Sequence, residues 1–220
     1  MRTKKATSLL GFIICILFIS FFASGGCDIE FSSDNDNGNG GGGGNSDSIL
    51  RGNITDIIPD RNLDGITVEV EDEDSGTLFS DVTDNSGFFE IEGGFSGTPA
   101  RLEFLDESQT QIALTNITVF PGAEVDLGDI TIDSGSVSFD EDIIVIFEGD
   151  ITDNNCSQGV GTLELSVDDT DVIVEVDSST DITRDNDDLV CEDLLEGDRV
   201  EVRGELLINF SVRADTIELL

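Results

Sequence analysis

Alternation of apolar and polar residues with a period of two runs through most of the chain after residue 48, and it constrains the fold more than any other feature. Residues 66–70 have the sequence ITVEV, and residues 163–167 and 172–176 alternate in the same way. Because successive side chains of a strand point to opposite faces, each of these segments predicts a half-buried strand. Turn residues separate the segments, and hardly any stretch keeps helical spacing. We therefore expect an all-β fold.

Acidic residues are interleaved with the apolar positions rather than gathered into blocks. The chain has 220 residues, with 48 Asp plus Glu, 10 Lys plus Arg and no His, and its formal net charge is −38. The part after Cys27 contains 7 Arg, no Lys and all 48 acids, so its formal charge is −41. This charge excludes nucleic acid as a partner. Two interpretations of it stay open, namely solubility through self-repulsion and specific cation binding.

Residues 1–26 have the pattern of an export signal, with a basic start, an apolar run over 9–22 and small residues at its end. The apolar run is shorter than the about 20 residues that a membrane-spanning helix needs. Small residues at 23–25 suit an ordinary signal peptidase. Alternatively, the sequence SGGC ending at Cys27 resembles a bacterial lipobox, although Ser stands where Leu is usual. Residues 27–48 continue as a Gly-rich linker, which favours lipidation of Cys27.

The number of cysteines favours the same hypothesis. The chain has Cys15, Cys27, Cys156 and Cys191, and Cys15 would leave with the signal peptide. Exported proteins rarely keep an unpaired thiol. If Cys27 carries lipid, Cys156 and Cys191 form a natural disulfide pair. If it does not, three cysteines remain and one of them has no partner.

Residues 49–133 contain about seven predicted short strands at the spacing of a β-sandwich. Along the chain, these strands include the motifs GITVEV, TDNSGFFEI, RLEF and LGDITI. This order resembles the carboxypeptidase regulatory-like domain, a transthyretin-like β-sandwich of bacterial surface proteins, although Asn62-Leu63 stands where that family often has Pro-Leu. The resemblance implies a non-catalytic accessory or spacer module. No carbohydrate site is carried over, because the chain lacks the Trp and Tyr that usually stack on sugars.

Residues 142–220 follow a predicted linker over 134–141 and alternate just as clearly. A second resemblance is based on four short motifs: GDIT at 149–152, TDI at 180–182, GDRVEVRG at 197–204 and ADTIE at 214–218. They resemble a family of small bacterial β-barrels of unknown function, often found in exported lipoproteins and similar to the OB barrel. The resemblance implies a small OB-like β-barrel. Nucleic-acid-binding barrels use a basic groove with stacking aromatics, whereas this block is acidic and contains only Phe147 and Phe210.

The chain offers few groups for catalysis. It has no His, and the part after Cys27 has no Lys, no Tyr and no expected free thiol, so the usual pairs of nucleophile and base are missing. Among 48 acids, two carboxylates become neighbours by chance, and neither block promises the cleft that glycoside hydrolysis requires. We expect no enzyme activity, no zinc site and no other cofactor, while an all-oxygen calcium site stays open.

A candidate calcium site lies at Asp60, Asn62 and Asp64. With Glu71, these residues match the written pattern of an EF-hand loop. An EF-hand needs Glu71 to return to the ion, but the strand predicted over 66–70 would carry it roughly 20 Å away. We keep the strand and expect at most a partial calcium site made by Asp60, Asn62 and Asp64. The alternative is a polar turn.

These patterns together predict an exported lipoprotein that is anchored to a bacterial membrane and faces the periplasm or the cell surface. The expected role is a non-catalytic binding or structural module, with envelope protein or polysaccharide as candidate partners. Two alternatives stay open: a glycan-binding accessory module, and a calcium-stabilised adhesion or scaffold module.

Overall fold

The computed structural model describes residues 47–58, 62–97, 99–185 and 187–220. These residues form an all-β structure, as the alternation predicts. The strands of the first block are β1 (Ser48–Ile58), β2 (Thr67–Asp72), β3 (Leu78–Val82), β4 (Phe88–Gly93), β5 (Pro99–Leu105), β6 (Gln111–Thr118), β7 (Glu124–Asp133) and β8 (Ser136–Phe139). The strands of the second block are β9 (Ile144–Asn154), β10 (Gly161–Val167), β11 (Thr170–Val176), β12 (Asp181–Arg184), β13 (Asp187–Asp188), β14 (Arg199–Leu206) and β15 (Val212–Leu219). A short 3-10 helix, Cys191–Asp193, precedes β14.

The first block has two layers of strands. One layer has the order β8-β7-β1-β4, and the other has the order β3-β2-β5-β6. The alternation places Val68 and Val70 of β2 in the core, where both are fully buried. Phe89 of β4 and Phe104 of β5 meet between the layers, with ring centroids 6.4 Å apart and the rings edge to face. The apolar faces of the two layers therefore pack against each other, as in a β-sandwich.

Five strands of the second block close a small barrel in the order β9-β10-β11-β15-β14 and back to β9. The neighbouring strands are antiparallel except for β11 and β15, which are parallel. Alternate residues of each strand fill the interior with aliphatic side chains, including Leu163, Leu165, Val172 and Val174, all of them buried. The alternation predicted for β10 and β11 is confirmed. Strands β12 and β13 extend the sheet beside β15.

The two blocks share one sheet and one core. Strand β7 pairs with β9 in antiparallel register, with Val125 opposite Val145, so that a single ladder continues from the sandwich into the barrel. The segment 134–141, predicted as a linker, contains β8, which pairs with β7. Phe120, in the connection from β6 to β7, packs on Phe147 of β9 with ring centroids 5.7 Å apart. The buried apolar residues of both blocks belong to one continuous cluster.

Candidate functional site

A cleft opens where β9 leaves β7 and begins to pair with β10. Strand β9 pairs with β7 as far as Ile146 and with β10 from Asp150 onward. Between these positions the chain borders a space of about 330 Å³, which we call the junction cleft. The first block contributes Gly122 and Glu124 to it, and the second block contributes Phe147, Glu148, Arg199 and Glu201. The cleft exists because one strand takes part in both blocks.

Arg199, the first residue of β14, supplies a positive charge to the junction cleft. Its Nε and Nη2 donate hydrogen bonds to Oε2 of Glu148 at 3.2 and 3.1 Å, and its Nη1 lies 3.6 Å from Asp150. Glu201 lies opposite Glu148 in the register of β14 with β9. The Arg199 and Glu148 side chains are about half exposed, so water and salt screen their charges. Carboxylate acceptors and a guanidinium donor together allow the cleft to bind a polar ligand through hydrogen bonds.

The carboxylate of Asp72, the last residue of β2, is buried and is held by a network of hydrogen bonds. Its Oδ1 accepts hydrogen bonds from the backbone N of Asp74 and Ser75 at 3.0 and 2.8 Å, and its Oδ2 accepts from N and Oγ of Ser96, both at 2.7 Å. Burial raises the pKa of Asp72, but these hydrogen bonds together outweigh it and lower the pKa below its ordinary value. The Ser96 carbonyl accepts a hydrogen bond from Oγ1 of Thr170 in β11, at 3.3 Å. The network therefore reaches the barrel.

Neither Asp72 nor the junction cleft is among the candidate sites predicted from the sequence. A signal for Asp72 exists, because the alternation that buries Val68 and Val70 places Asp72 two residues further along on the same face. A carboxylate in a buried position needs hydrogen-bond donors, so the pattern predicts a polar network there. The junction cleft has no comparable local signal, since it depends on the pairing of β7 with β9.

The predicted calcium residues lie in the connection from β1 to β2, and Asp60 is outside the described residues. Asn62 and Asp64 line a second cleft of about 410 Å³ beside the β5–β6 turn, and the Asp64 backbone N donates to Oδ1 of Asn62 at 3.4 Å. Glu71 lies in β2, and its Oε2 is 2.6 Å from Nη2 of Arg101. Within the described residues, no group of three or more His, Cys, Asp or Glu side chains is arranged to hold a metal ion.

Cys156 and Cys191 form the expected disulfide, with their Cα atoms 5.8 Å apart. The bridge joins the β9–β10 loop to the 3-10 helix. Asn154 supports the same contact, because its Nδ2 donates to the Cys191 carbonyl at 2.9 Å and its Oδ1 accepts from the Cys156 backbone N at 2.8 Å. The backbone N of Gly159 donates to the Glu192 carboxylate at 3.0 Å and lowers the pKa of that group. Covalent and polar contacts together hold this end of the barrel.

The predicted export signal, Cys27 and most of the Gly-rich linker lie outside the described residues. In the part of the chain that the structure describes, we find no helix with the length and apolar character needed to cross a bilayer. Comparison with models of known protein families gave no match, and neither did comparison with curated proteins. The function is therefore inferred from the residues of this chain alone.

Proposed function

We propose that this chain is a non-catalytic exported lipoprotein that acts as a binding or structural module at the bacterial cell envelope. The observation that carries the proposal is the disulfide between Cys156 and Cys191. Disulfides form and persist in oxidising compartments outside the cytosol. The pair leaves Cys27 unmatched once a signal peptide containing Cys15 has been removed. Cys27, between an apolar run and a Gly-rich segment, is the proposed site of acylation.

The proposal includes a finer assignment of the two blocks. The barrel order β9-β10-β11-β15-β14, with β11 parallel to β15, supports an OB-like barrel. The seven strands β1–β7, arranged in two layers, support a transthyretin-like sandwich for the first block. A fold of either kind does not specify a ligand. The proposed role therefore depends on the anchor and on the surfaces that the folded part presents.

The anchor is tested by recovering the mature protein from bacteria that produce the full chain and analysing its N-terminus by mass spectrometry. We expect Cys27 as the first residue, carrying two or three acyl chains, because a single chain binds membranes only marginally. The protein should then partition into the detergent phase, whereas a Cys27→Ala variant should not. A mature N-terminus without acyl chains contradicts the proposal. Affinity capture from an envelope extract with the acylated protein then tests for a protein or polymer partner.

The polar junction cleft favours a second candidate, a glycan-binding accessory module. Its volume of about 330 Å³ lies at the lower end of the range for small-ligand pockets. Its carboxylates accept and its guanidinium donates the hydrogen bonds that sugar hydroxyls form. The wild-type protein should migrate more slowly in gels that contain an envelope polysaccharide, and Arg199→Ala should abolish this retardation. Arg101→Ala, which removes another ion-paired arginine, should not. Unretarded wild-type protein contradicts this candidate.

A further inference from the structure

The turn between β14 and β15 exposes large apolar side chains. Residues 206–212, which we call the β14–β15 tip, have the sequence LLINFSV and contain no charged side chain. Ile208 is 100% exposed and Phe210 is 55% exposed. In contrast, the β2–β3, β5–β6 and β10–β11 hairpins turn on pairs of acidic residues, at 73–74, 106–107 and 168–169. The composition of the β14–β15 tip therefore departs from the acidic pattern of these turns.

Hydrogen bonds hold the β14–β15 tip in a defined shape. The backbone N of Leu207 donates to the Ser211 carbonyl at 2.8 Å, and the backbone N of Phe210 donates to the Leu207 carbonyl at 2.9 Å. Oγ of Ser211 lies 2.7 Å from the Glu175 carboxylate. Phe210 has a φ of 66°, in the left-handed region where turns favour Gly or Asn. A bulky aromatic residue is strained at such a position, and here its ring is presented to the outside.

The charged side chains that flank the β14–β15 tip are held by polar contacts. Glu205 and Arg213 lie opposite each other in the register of β14 with β15 and form an ion pair. Glu175, opposite Arg213 in the register of β11 with β15, accepts the hydrogen bond from Oγ of Ser211. Each charged side chain beside the tip therefore has an ion-pair or hydrogen-bond partner. Leu195, at 63% exposure, is another large apolar side chain at the surface, but it is followed by Glu196 and lies close in sequence to Asp193 and Asp198. Like-charged surroundings of that kind oppose transfer into a membrane interface.

We propose that the β14–β15 tip inserts into the surface of the lipid bilayer that holds the protein. The inference rests on the proposed acylation of Cys27. Asp47 follows Cys27 by 20 positions, and a chain of that length reaches at most about 70 Å. The folded part therefore stays close to the bilayer. Exposed apolar surface marks sites of protein or membrane interaction. The proposed anchor and the uncharged tip favour the membrane, where apolar side chains lie at the boundary between headgroups and acyl chains.

The chain contains no Trp, so one introduced Trp reports on one site. Phe210→Trp places the reporter at the β14–β15 tip, and Leu195→Trp places it at the acidic control site of similar exposure. The acylated mature form of each variant is reconstituted into phosphatidylcholine vesicles whose acyl chains carry bromine, which quenches Trp fluorescence on contact. We expect the emission of the Phe210→Trp variant to shift to shorter wavelength and to be quenched. The emission of the Leu195→Trp variant should remain that of a Trp in water.

The outcomes separate the tip from the anchor, because mass spectrometry of the N-terminus is performed on the same samples. An N-terminus without acyl chains overturns the anchor and this inference with it. An acylated protein whose Phe210→Trp emission is unquenched overturns this inference alone and points to a protein partner for the tip. Equal quenching of both variants also overturns it, since insertion would then not be specific to the tip. Unchanged unfolding temperatures of both variants verify that neither substitution disturbs the fold.

Discussion

The first and second blocks are both built from strands, but different chemistry secures the segments between those strands. In the first block, the buried carboxylate of Asp72 joins the β2–β3 turn to Ser96 in the β4–β5 connection. In the second block, a disulfide joins the β9–β10 loop to the 3-10 helix. In both blocks, strand pairing provides hydrogen-bond partners for the backbone N–H and C=O groups of the strands. The irregular segments between strands need other contacts. The strength of the carboxylate contact depends on pH, whereas the disulfide depends on the redox environment.

The cores of the two blocks differ for a geometric reason. The space between the two layers of the first block holds aromatic rings, among them Phe79 and Phe95 with centroids 4.8 Å apart. The five-stranded barrel has a narrow interior that Val, Leu and Ile side chains fill. Phe147 of β9 lies at the boundary and packs on Phe120 of the first block. Phe147 lies on the buried face of β9 together with Val145 and Ile151, so this aromatic contact connects the barrel core to the first block.

Removal of the disulfide should have the largest effect on stability. The bridge closes a loop with a sequence separation of 35, and the chain-entropy model gives a contribution of about 4 kcal/mol for such a loop. We expect the double variant Cys156→Ala with Cys191→Ala to lose roughly that free energy of unfolding in urea denaturation. A reductant should lower wild-type stability to the same level and leave the variant unchanged. Equal urea midpoints for wild type and variant would show that the bridge does not contribute to the free energy of unfolding.

The next largest effect should come from Asp72. Asp72→Asn keeps the size of the side chain but replaces one acceptor oxygen by a donor, which opposes the donors around it. We expect a loss of about 2 to 3 kcal/mol in free energy of unfolding, in the range for hydrogen bonds to buried charged groups. The matched control is Asp84→Asn, since Asp84 also accepts hydrogen bonds from Ser86 and Phe88 but is exposed. A control that loses as much stability as Asp72→Asn contradicts the role of burial.

Asp72 also predicts an acid sensitivity that the disulfide cannot provide. Its pKa is lower in the folded protein than in the unfolded chain, so its contribution is complete above the unfolded value of about 4 and is lost as the pH falls through the folded value. Exposed groups with lowered pKa, such as Glu192, act in the same direction. Stability should therefore fall as the solution is acidified below about pH 4, and less steeply in Asp72→Asn. If the free energy of unfolding of the wild type and of Asp72→Asn fell in parallel with decreasing pH, Asp72 would make no contribution to the acid sensitivity.

Substitution of two buried threonines of the first block should change the free energy of unfolding by smaller amounts and in opposite directions. Oγ1 of Thr118 is buried and has no hydrogen-bond partner among the described residues. Oγ1 of Thr83 donates to the Leu63 carbonyl at 2.5 Å and accepts from the Ile66 backbone N at 2.9 Å. Thr118→Val should raise the free energy of unfolding by about 1 kcal/mol, and Thr83→Val should lower it by at least as much. Thermal denaturation of both variants checks the prediction, and a change of the same sign in both contradicts it.

Calcium should have the smallest effect, through the connection from β1 to β2 in the first block. If Asp60, Asn62 and Asp64 form a partial site, millimolar calcium should raise the unfolding temperature, with a stabilisation of about 1 kcal/mol for a site of millimolar affinity. The double variant Asp60→Ala with Asp64→Ala should lose this increase. An equal increase in wild type and variant would mean that calcium only screens the acidic surface. Differential scanning calorimetry with and without a chelator distinguishes the two results.

The sequence by itself determined which side chains face inward. The alternation at Val68 and Val70, and at Val172 and Val174, predicts their burial because the side-chain period of a strand is two, whatever the strand pairs with. The same alternation places Asp72 in a buried position. The pairing of Cys156 with Cys191 followed from the number of cysteines and the expected oxidising compartment. These properties are local or compositional, so they require no knowledge of the topology.

Only the tertiary structure decided how the two blocks meet. The ladder between β7 and β9 is made by backbone groups that nearly every residue has, so no side-chain pattern encodes that choice of partner. The junction cleft, the contact of Ser96 with Thr170 and the orphaned hydroxyl of Thr118 all depend on which strands lie side by side. The same holds for the β14–β15 tip, since exposure of Ile208 and Phe210 follows from where the barrel closes. Local periodicity specifies faces, and long-range pairing specifies neighbours.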